Sequence, residues 1–326
     1  AGLRELCRHY LPAEAKTLWP TEMLNSNRLP FEDLDLTPET LKEPRYDLLV
    51  PQILGNEAGA IRASIERLES WGASGIDINM GCPVQKALRH NYGVALMGDP
   101  HYARQVVEMA VASSSLPVSV KLRVYEKDQE ESVFNEFIDG LIGAGASWLC
   151  LHPRPPALKR RGTADWQQIA KLKSRISIPV VGNGDVQTSE DVWLMLAQTN
   201  CDLVMAGRAL AARPWLLWQL GEDLGLGPPK AADISGPRAP RTPEEEAVEY
   251  GRSLLHLLAI CRRIFKESLA LRKMRFHIRT TSVWLDFGHK LMALSYKSTT
   301  LSELEDEMRR FFENSLRLFA RTDLRE

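Results

Sequence analysis

The 326-residue chain reads as an α/β protein built on a (β/α)8 barrel of the TIM type, followed by a C-terminal α-helical domain. Three observations predict this. Short apolar runs alternate with amphipathic helical segments as far as Leu220. The runs are apolar on both faces, as parallel strands covered by helices are. Polar residues stand at the ends of successive runs, on the rim where such a barrel does its chemistry. Seven strands are legible, one short of closure.

Ala1 to Tyr10 opens the chain as a short amphipathic helix with Leu3, Leu6 and Cys7 on one face, and Thr17 to Met23 reads as a strand. Asn25 to Tyr46 is polar and proline-bearing, hence looped. Asp47 to Ile53 is a buried strand, and Ala58 to Gly72 spaces Ile61, Ile65, Leu68 and Trp71 as a helix packed on a sheet does. The strand at Ile76–Met80 leads to a helix at 102–113, and 117–123 leads to a helix at 130–144. Strands at 148–152, 178–183 and 201–208 are followed by helices at 166–173, 189–198 and 215–220.

Composition changes after Leu220. Gly221 to Arg241 is rich in Gly and Pro and reads as a linker. Thr242-Pro243-Glu244-Glu245 then carries the capping-box pattern of a helix start. Apolar stripes predict a helix through Phe265, a second through Leu271 to Trp284, and a third from the Thr300 cap to Phe319. The expected organisation is a barrel over 1–220, a linker over 221–241 and a helical domain over 242–326.

Composition excludes several classes. No apolar run approaches the ~20 residues that span a bilayer. Five scattered cysteines argue against a disulfide framework or a zinc site, so no metal is expected and a cytoplasmic setting fits. A net charge of -1 gives no global pull toward nucleic acid, so RNA binding needs a local patch.

The chemistry gathers at strand ends. In Gly75-Ile-Asp-Ile-Asn-Met-Gly-Cys-Pro83 the strand stops at Pro83, leaving the Cys82 thiol on the rim. Taken alone, Cys82 reads equally as a small buried hydrophobe. Gln52, Asn79, Lys121, Arg123, His152 and Arg154 also lie at or just past strand ends. Asn183-Gly184-Asp185 and Gly207-Arg208 follow the last two strands, where bare backbone N–H groups and an arginine can receive a phosphate. Each residue has a structural reading; their joint placement carries the functional one.

These residues together resemble the tRNA-dihydrouridine synthases. The resemblance lies in Asp77-Ile-Asn-Met-Gly-Cys-Pro83 with Gly93, Leu96 and Pro100, and continues through Val118–Arg123 and His152-x-Arg154. It ends with Ile178–Asp185, Val204–Arg208 and Arg213-Pro-Trp215, and so covers nearly the whole barrel half. It implies FMN held by Gln52, Lys121 and His152 at the ring and by Asn183, Gly184, Asp185, Gly207 and Arg208 at the phosphate. It further implies NADPH as reductant, hydride transfer to C6 of a uracil, protonation of C5 by Cys82, and substrate contacts from Asn79 and Arg154.

The family also implies tRNA as partner, held by the helical domain. Among its basic residues, Lys273, Arg275 and Arg279 are the expected RNA contacts, joined near the pocket mouth by Lys159, Arg160 and Arg161. A monomer with no membrane association is expected.

Three departures stand out. The family's first strand is missing, which matches the count of seven and puts flavin retention in question. His152-Pro-Arg-Pro155 replaces His-Gly-Arg-Thr, and Arg272-Lys-Met274 replaces Arg-Lys-His. Two other readings remain at this point: a flavin-dependent reductase of a small molecule, and a tRNA-binding homologue without catalysis.

Overall fold

The computed structural model describes residues 2–41, 48–125, 131–159, 161–230 and 236–323. The chain divides into two compact units. One comprises 17–185 and 193–205 and carries every strand; the other comprises 1–16, 186–192 and 206–323.

The strand unit is a parallel sheet in strict chain order. Its strands are β1 (Trp19–Asn25), β2 (Leu49–Leu54), β3 (Ile76–Met80), β4 (Val118–Arg123), β5 (Trp148–His152), β6 (Val180–Asn183) and β7 (Leu203–Met205). Every neighbouring pair is parallel. Strand order that never reverses is the winding of a barrel; doubly wound sheets turn back at a switch point. The seven strands match the number legible in the sequence. Pro20 is tolerated because β1 is an edge strand, and the β1–β2 register shifts just after it.

Helices return the chain between strands. Ala58–Trp71 buries Ile61, Ile65 and Leu68 and ends on Gly72 at φ 96, the left-handed stop that glycine favours. Pro100–Ala112 starts with Asp99 accepting from the Tyr102 N–H, and Glu131–Gly143 buries Phe137, Ile138 and Leu141. Asp47 and Glu130, the expected first residues of a strand and a helix, lie outside the described residues.

The second unit is helical. Thr242 and Glu245 form the predicted capping box at the start of Pro243–Ile264. Gly2–His9 packs on that helix, with Leu6, Cys7 and Tyr10 buried and the Tyr10 hydroxyl donating to Glu249 Oε1 at 2.7 Å. By packing, therefore, 1–16 and the segment from 206 onward belong with the helices, and the compact units do not break at Leu220.

The Gly- and Pro-rich stretch after Leu220 is also held. Leu216–Asp223 runs into it as helix, Gln219 Nε2 donates to the Pro240 carbonyl at 2.6 Å, and Arg241 pairs with Glu222 and Asp223.

Glu267–Thr281 and a one-turn 3-10 segment at Ser282–Trp284 together make the second predicted helix. An additional helix, Gly288–Lys297, has no sequence prediction. The last helix, Leu301–Phe311, stops short of Phe319 because the chain beyond it is extended: Leu318 bridges Leu285, and the N–H groups of Leu318 and Phe319 donate to the carbonyls of Pro243 and Trp284.

Candidate functional site

Parallel strands end on one side, so the polar strand ends share a rim. The register aligns them further. Gln52 on β2 pairs with Asp77 on β3, and Asp77 with Ser119 on β4, forming one layer across three strands. One step along, Asn79 pairs with Lys121, and Lys121 with Cys150; Arg123 then pairs with His152. All five residues of β3 are buried, so its Asp-Asn face points into the protein and not into water.

The first layer is linked by short hydrogen bonds. Asp77 Oδ1 accepts from Ser119 Oγ at 2.6 Å, and Asp77 Oδ2 from Gln52 Nε2 at 2.6 Å. Asn79 Nδ2 donates to Gln52 Oε1 at 2.7 Å. Burial pushes the Asp77 carboxyl up to about 6, against the opposing pull of the Ser119 and Gln52 hydrogen bonds and the Lys121 charge. Gln52 and Asn79 each donate one amide hydrogen in this network and carry a second.

Asn79 also shapes the turn that carries the thiol. Its Oδ1 accepts from the N–H groups of Gly81 at 3.2 Å and Cys82 at 2.9 Å. Arg123 Nε donates to the Gly81 carbonyl at 3.0 Å, and the Cys82 carbonyl accepts from Val94 N at 3.1 Å. The Gly81–Cys82 peptide is thus held through both its C=O and its N–H. Cys82 is 7% exposed and sits with Ala87, Tyr92 and Leu54 in a small apolar cluster at the rim.

Gly93 presses on Cys82. At φ +60, a Cβ on Gly93 would stand 2.7 Å from the Cys82 carbonyl oxygen and 3.0 Å from its Cβ, so only glycine fits.

Lys121 is half-buried, with Nζ 3.2 Å from Asn183 Oδ1, while Asn183 Nδ2 donates to the Met205 carbonyl at 2.8 Å. These bonds join the ends of β4, β6 and β7. Cys150 lies beside Lys121 in register but is buried, and burial raises its thiol to about 12. It stays protonated and apolar in character.

Arg154 and Asp185 pair with each other. Arg154 is 1% exposed; its Nη2 donates to both Asp185 carboxylate oxygens at 2.7 Å and to the Gly162 carbonyl at 2.9 Å. Asp185 Oδ2 also accepts from Ala164 N at 2.6 Å, so the carboxylate faces protein groups. That relieves the repulsion it would exert on a phosphate. The pair therefore fixes the 183–185 turn, in which Gly184 lies at φ +124 against the His152 ring.

Gly207 and Arg208 lie in the helical unit, where exposed Gly207 precedes the short helix Arg208–Ala212 and a Cβ on it would meet open space. In the same unit Lys273 and Arg279 are exposed, Lys273 5.9 Å from the Phe265 ring centroid and Arg279 5.5 Å from that of Phe276. Arg275 is partly buried, donating to the carbonyls of Ser295 and Ser298 at 3.0 and 2.7 Å. His277 adds no charge near neutrality, since burial lowers it to about 4. Lys159 and Arg161 are exposed, and Arg160 lies outside the described residues.

Tyr92 escaped the sequence reading, and Asp77, Gly93 and Ser119 entered it only within the matching stretches, with no part in the site. The signal for Asp77 was present, because a residue two before Asn79 on a strand shares its face.

The five cysteines are free and buried, no cluster of metal-binding side chains occurs among the described residues, and none of the described helices is long and apolar enough to cross a membrane.

Comparisons with known proteins follow the same line. A histamine dehydrogenase from Rhizobium sp. 4-9 superposes with a TM-score of 0.51 at 14% identity, over 68% of this chain and 43% of that one, a likeness of fold alone. A probable tRNA-dihydrouridine synthase 1 from Synechocystis sp. is 32% identical over 70% of this chain, which spans 63% of that relative's length. A probable tRNA-dihydrouridine synthase from Rhizobium leguminosarum bv. phaseoli is 30% identical over 79% of this chain and 75% of its own length. The dihydrouridine synthase family model matches residues 2–279, and with the Cys82 turn and its supporting layer in place, the chain belongs to the dihydrouridine synthase family.

Proposed function

We propose that this chain is an FMN-dependent tRNA-dihydrouridine synthase, which reduces the C5–C6 bond of uridines in tRNA with NADPH as reductant. The observation that carries the reading is the continuous hydrogen-bond path from Gln52 through Asn79 to the Cys82 N–H. It ties the turn that carries the thiol to two amides that still have N–H groups to offer. That donor set, with the Lys121 ammonium close by, fits a ring edge of carbonyl and imine acceptors, as isoalloxazine and uracil both present.

FMN, when bound, would supply hydride chemistry at C6, with NADPH as the source of electrons. Gln52, Lys121 and His152 would hold the ring, and Asn183 and Gly184 would serve the phosphate, while Asp185 acts by holding their turn. The remaining N–H of Asn79 orients the uracil edge, and Cys82 gives its proton to C5. With Cys82 only 7% exposed, the segment carrying Ala87 and Tyr92 must yield as the base enters. The base itself must leave its stack to get there, which costs a few kcal/mol. Lys273 and Arg279 contribute phosphate contacts, and Phe276, 58% exposed beneath Arg279, adds a stacking face.

The test is to incubate unmodified tRNA with the protein, FMN and NADPH and to map dihydrouridine by mass spectrometry. Conversion at defined positions is expected. A flavin-loaded protein that leaves every uridine intact would defeat the reading.

A further inference from the structure

We infer that Asp77 is a positioning residue that sets the orientation of the Gln52 side-chain amide and, through Asn79, the conformation of the Cys82 turn. The inference rests on the proposed role of Cys82 only for its catalytic consequence. The structural relay stands on geometry.

A carboxylate is an acceptor on both oxygens. Asp77 takes hydrogen bonds from Ser119 Oγ and Gln52 Nε2, each at 2.6 Å, in a layer pinned by strand register. Because Gln52 must turn its Nε2 toward Asp77, its Oε1 faces Asn79 and accepts from Nδ2. Asn79 is then left with its oxygen toward the turn, where it takes the Gly81 and Cys82 N–H groups. Polarity thus passes along the chain: an acceptor at position 77 dictates an acceptor under Cys82. Asp77 is 7% exposed and acts through Gln52 and Asn79.

An asparagine at 77 offers one oxygen and one NH2. If the NH2 meets Gln52, both downstream amides must flip and the Cys82 N–H faces a donor. If it meets Ser119, the hydroxyl must give up its 2.6 Å bond and donate to the Ile76 carbonyl at 3.4 Å. In the first case the Cys82 N–H loses its acceptor; in the second the bonds are kept in number, but the charge-assisted bonds to Gln52 and Ser119 become weaker neutral ones. Exchanging the pair as Gln52→Glu with Asp77→Asn repairs the network. The carboxylate, now on β2, accepts from the amide that replaces it on β3 and from Asn79; the oxygen of that amide accepts from Ser119, and the net charge is unchanged.

The experiment uses the flavin-loaded protein and measures alkylation of Cys82 by iodoacetamide, read on its peptide by mass spectrometry. It also measures flavin content, flavin reduction by NADPH, and kcat and KM for tRNA. In Asp77→Asn the loosened turn should raise the alkylation rate about tenfold while kcat falls about tenfold, with KM, flavin content and flavin reduction within about twofold of the original. The exchange variant gives up the Gln52 N–H proposed for the ring, so it is compared with the original protein with flavin removed from both, and there it should bring alkylation back toward the original rate.

An unchanged alkylation rate in Asp77→Asn, or a folded exchange variant that does not restore it, overturns the relay, as does a kcat loss explained by loss of flavin. If Asp77→Asn does not fold, the exchange decides alone. Folding with the original alkylation rate supports the relay, and failure to fold overturns it. Should the unsubstituted protein form no dihydrouridine while the alkylation results follow expectation, the proposed reaction fails and the relay stands.

Discussion

Gly184 meets the His152 ring so closely that a Cβ on it would stand 2.9 Å from His152 Cδ2 and 2.8 Å from the Ala164 Cβ. Its φ of +124 is open to glycine alone among common residues. Gly184→Ala should therefore cost about 1–3 kcal/mol and displace His152. Urea midpoints and the visible flavin spectrum check both effects, and a variant with the original midpoint and spectrum would show that the turn can shift freely.

Cys82→Ala removes the thiol without touching the backbone bonds of its turn. Flavin content and tRNA affinity should persist while dihydrouridine formation falls by about 100-fold or more, the range of a lost general acid. Loss of flavin in this variant would place Cys82 in cofactor binding instead.

Asp77 makes stability depend on pH. Its carboxyl is raised from 3.8 to about 6 in the folded protein, so the native state binds the proton more tightly than the unfolded chain does. Stability from this group is fully present below 3.8 and is lost as pH rises through about 6. Compared with Asp77→Asn, the original protein should gain about 2 kcal/mol between pH 7 and pH 4, most of the linkage equivalent of that shift. Parallel curves of urea midpoint against pH for the two proteins would contradict the assignment.

In the helical unit, the basic residues split by environment. Lys273→Ala and Arg279→Ala should each weaken tRNA binding and lower the slope of log affinity against log salt by about 1. Arg275→Ala should instead lower thermal stability, because its guanidinium holds the carbonyls of Ser295 and Ser298. Filter binding across salt concentrations and thermal melts separate the two outcomes.

Much of this was readable from residue order. Strands such as 118–123, which alternates, and 148–152, which is apolar almost throughout, and the Thr242–Glu245 box declare themselves locally, and the structure places them where expected. The helix Gly288–Lys297 does not. Its N-cap position is Phe287 at φ 54, with no side-chain cap, so nothing in the sequence marks its start. Phe312, Leu316 and Phe319 continue a helical period, yet that stretch is fixed by extended contacts to Leu285, Pro243 and Trp284, partners distant in sequence.

The site was legible to a similar degree. Rim residues follow from strand ends, whereas the parts of Arg154, Asp185 and Asp77 depend on which neighbours fold against them, and a single strand does not carry that information.

The sealed contact between Arg154 and Asp185 has a consequence for how this chain can drift over generations. A neutral residue at 185 alone strands the enclosed Arg154 guanidinium at a cost of about 3–5 kcal/mol, and a neutral residue at 154 alone removes the main partner of Asp185, leaving it the Ala164 N–H at a smaller cost. The two codons are therefore inherited as a unit: lineages should keep both members or replace both with matched apolar side chains, and intermediates should be scarce.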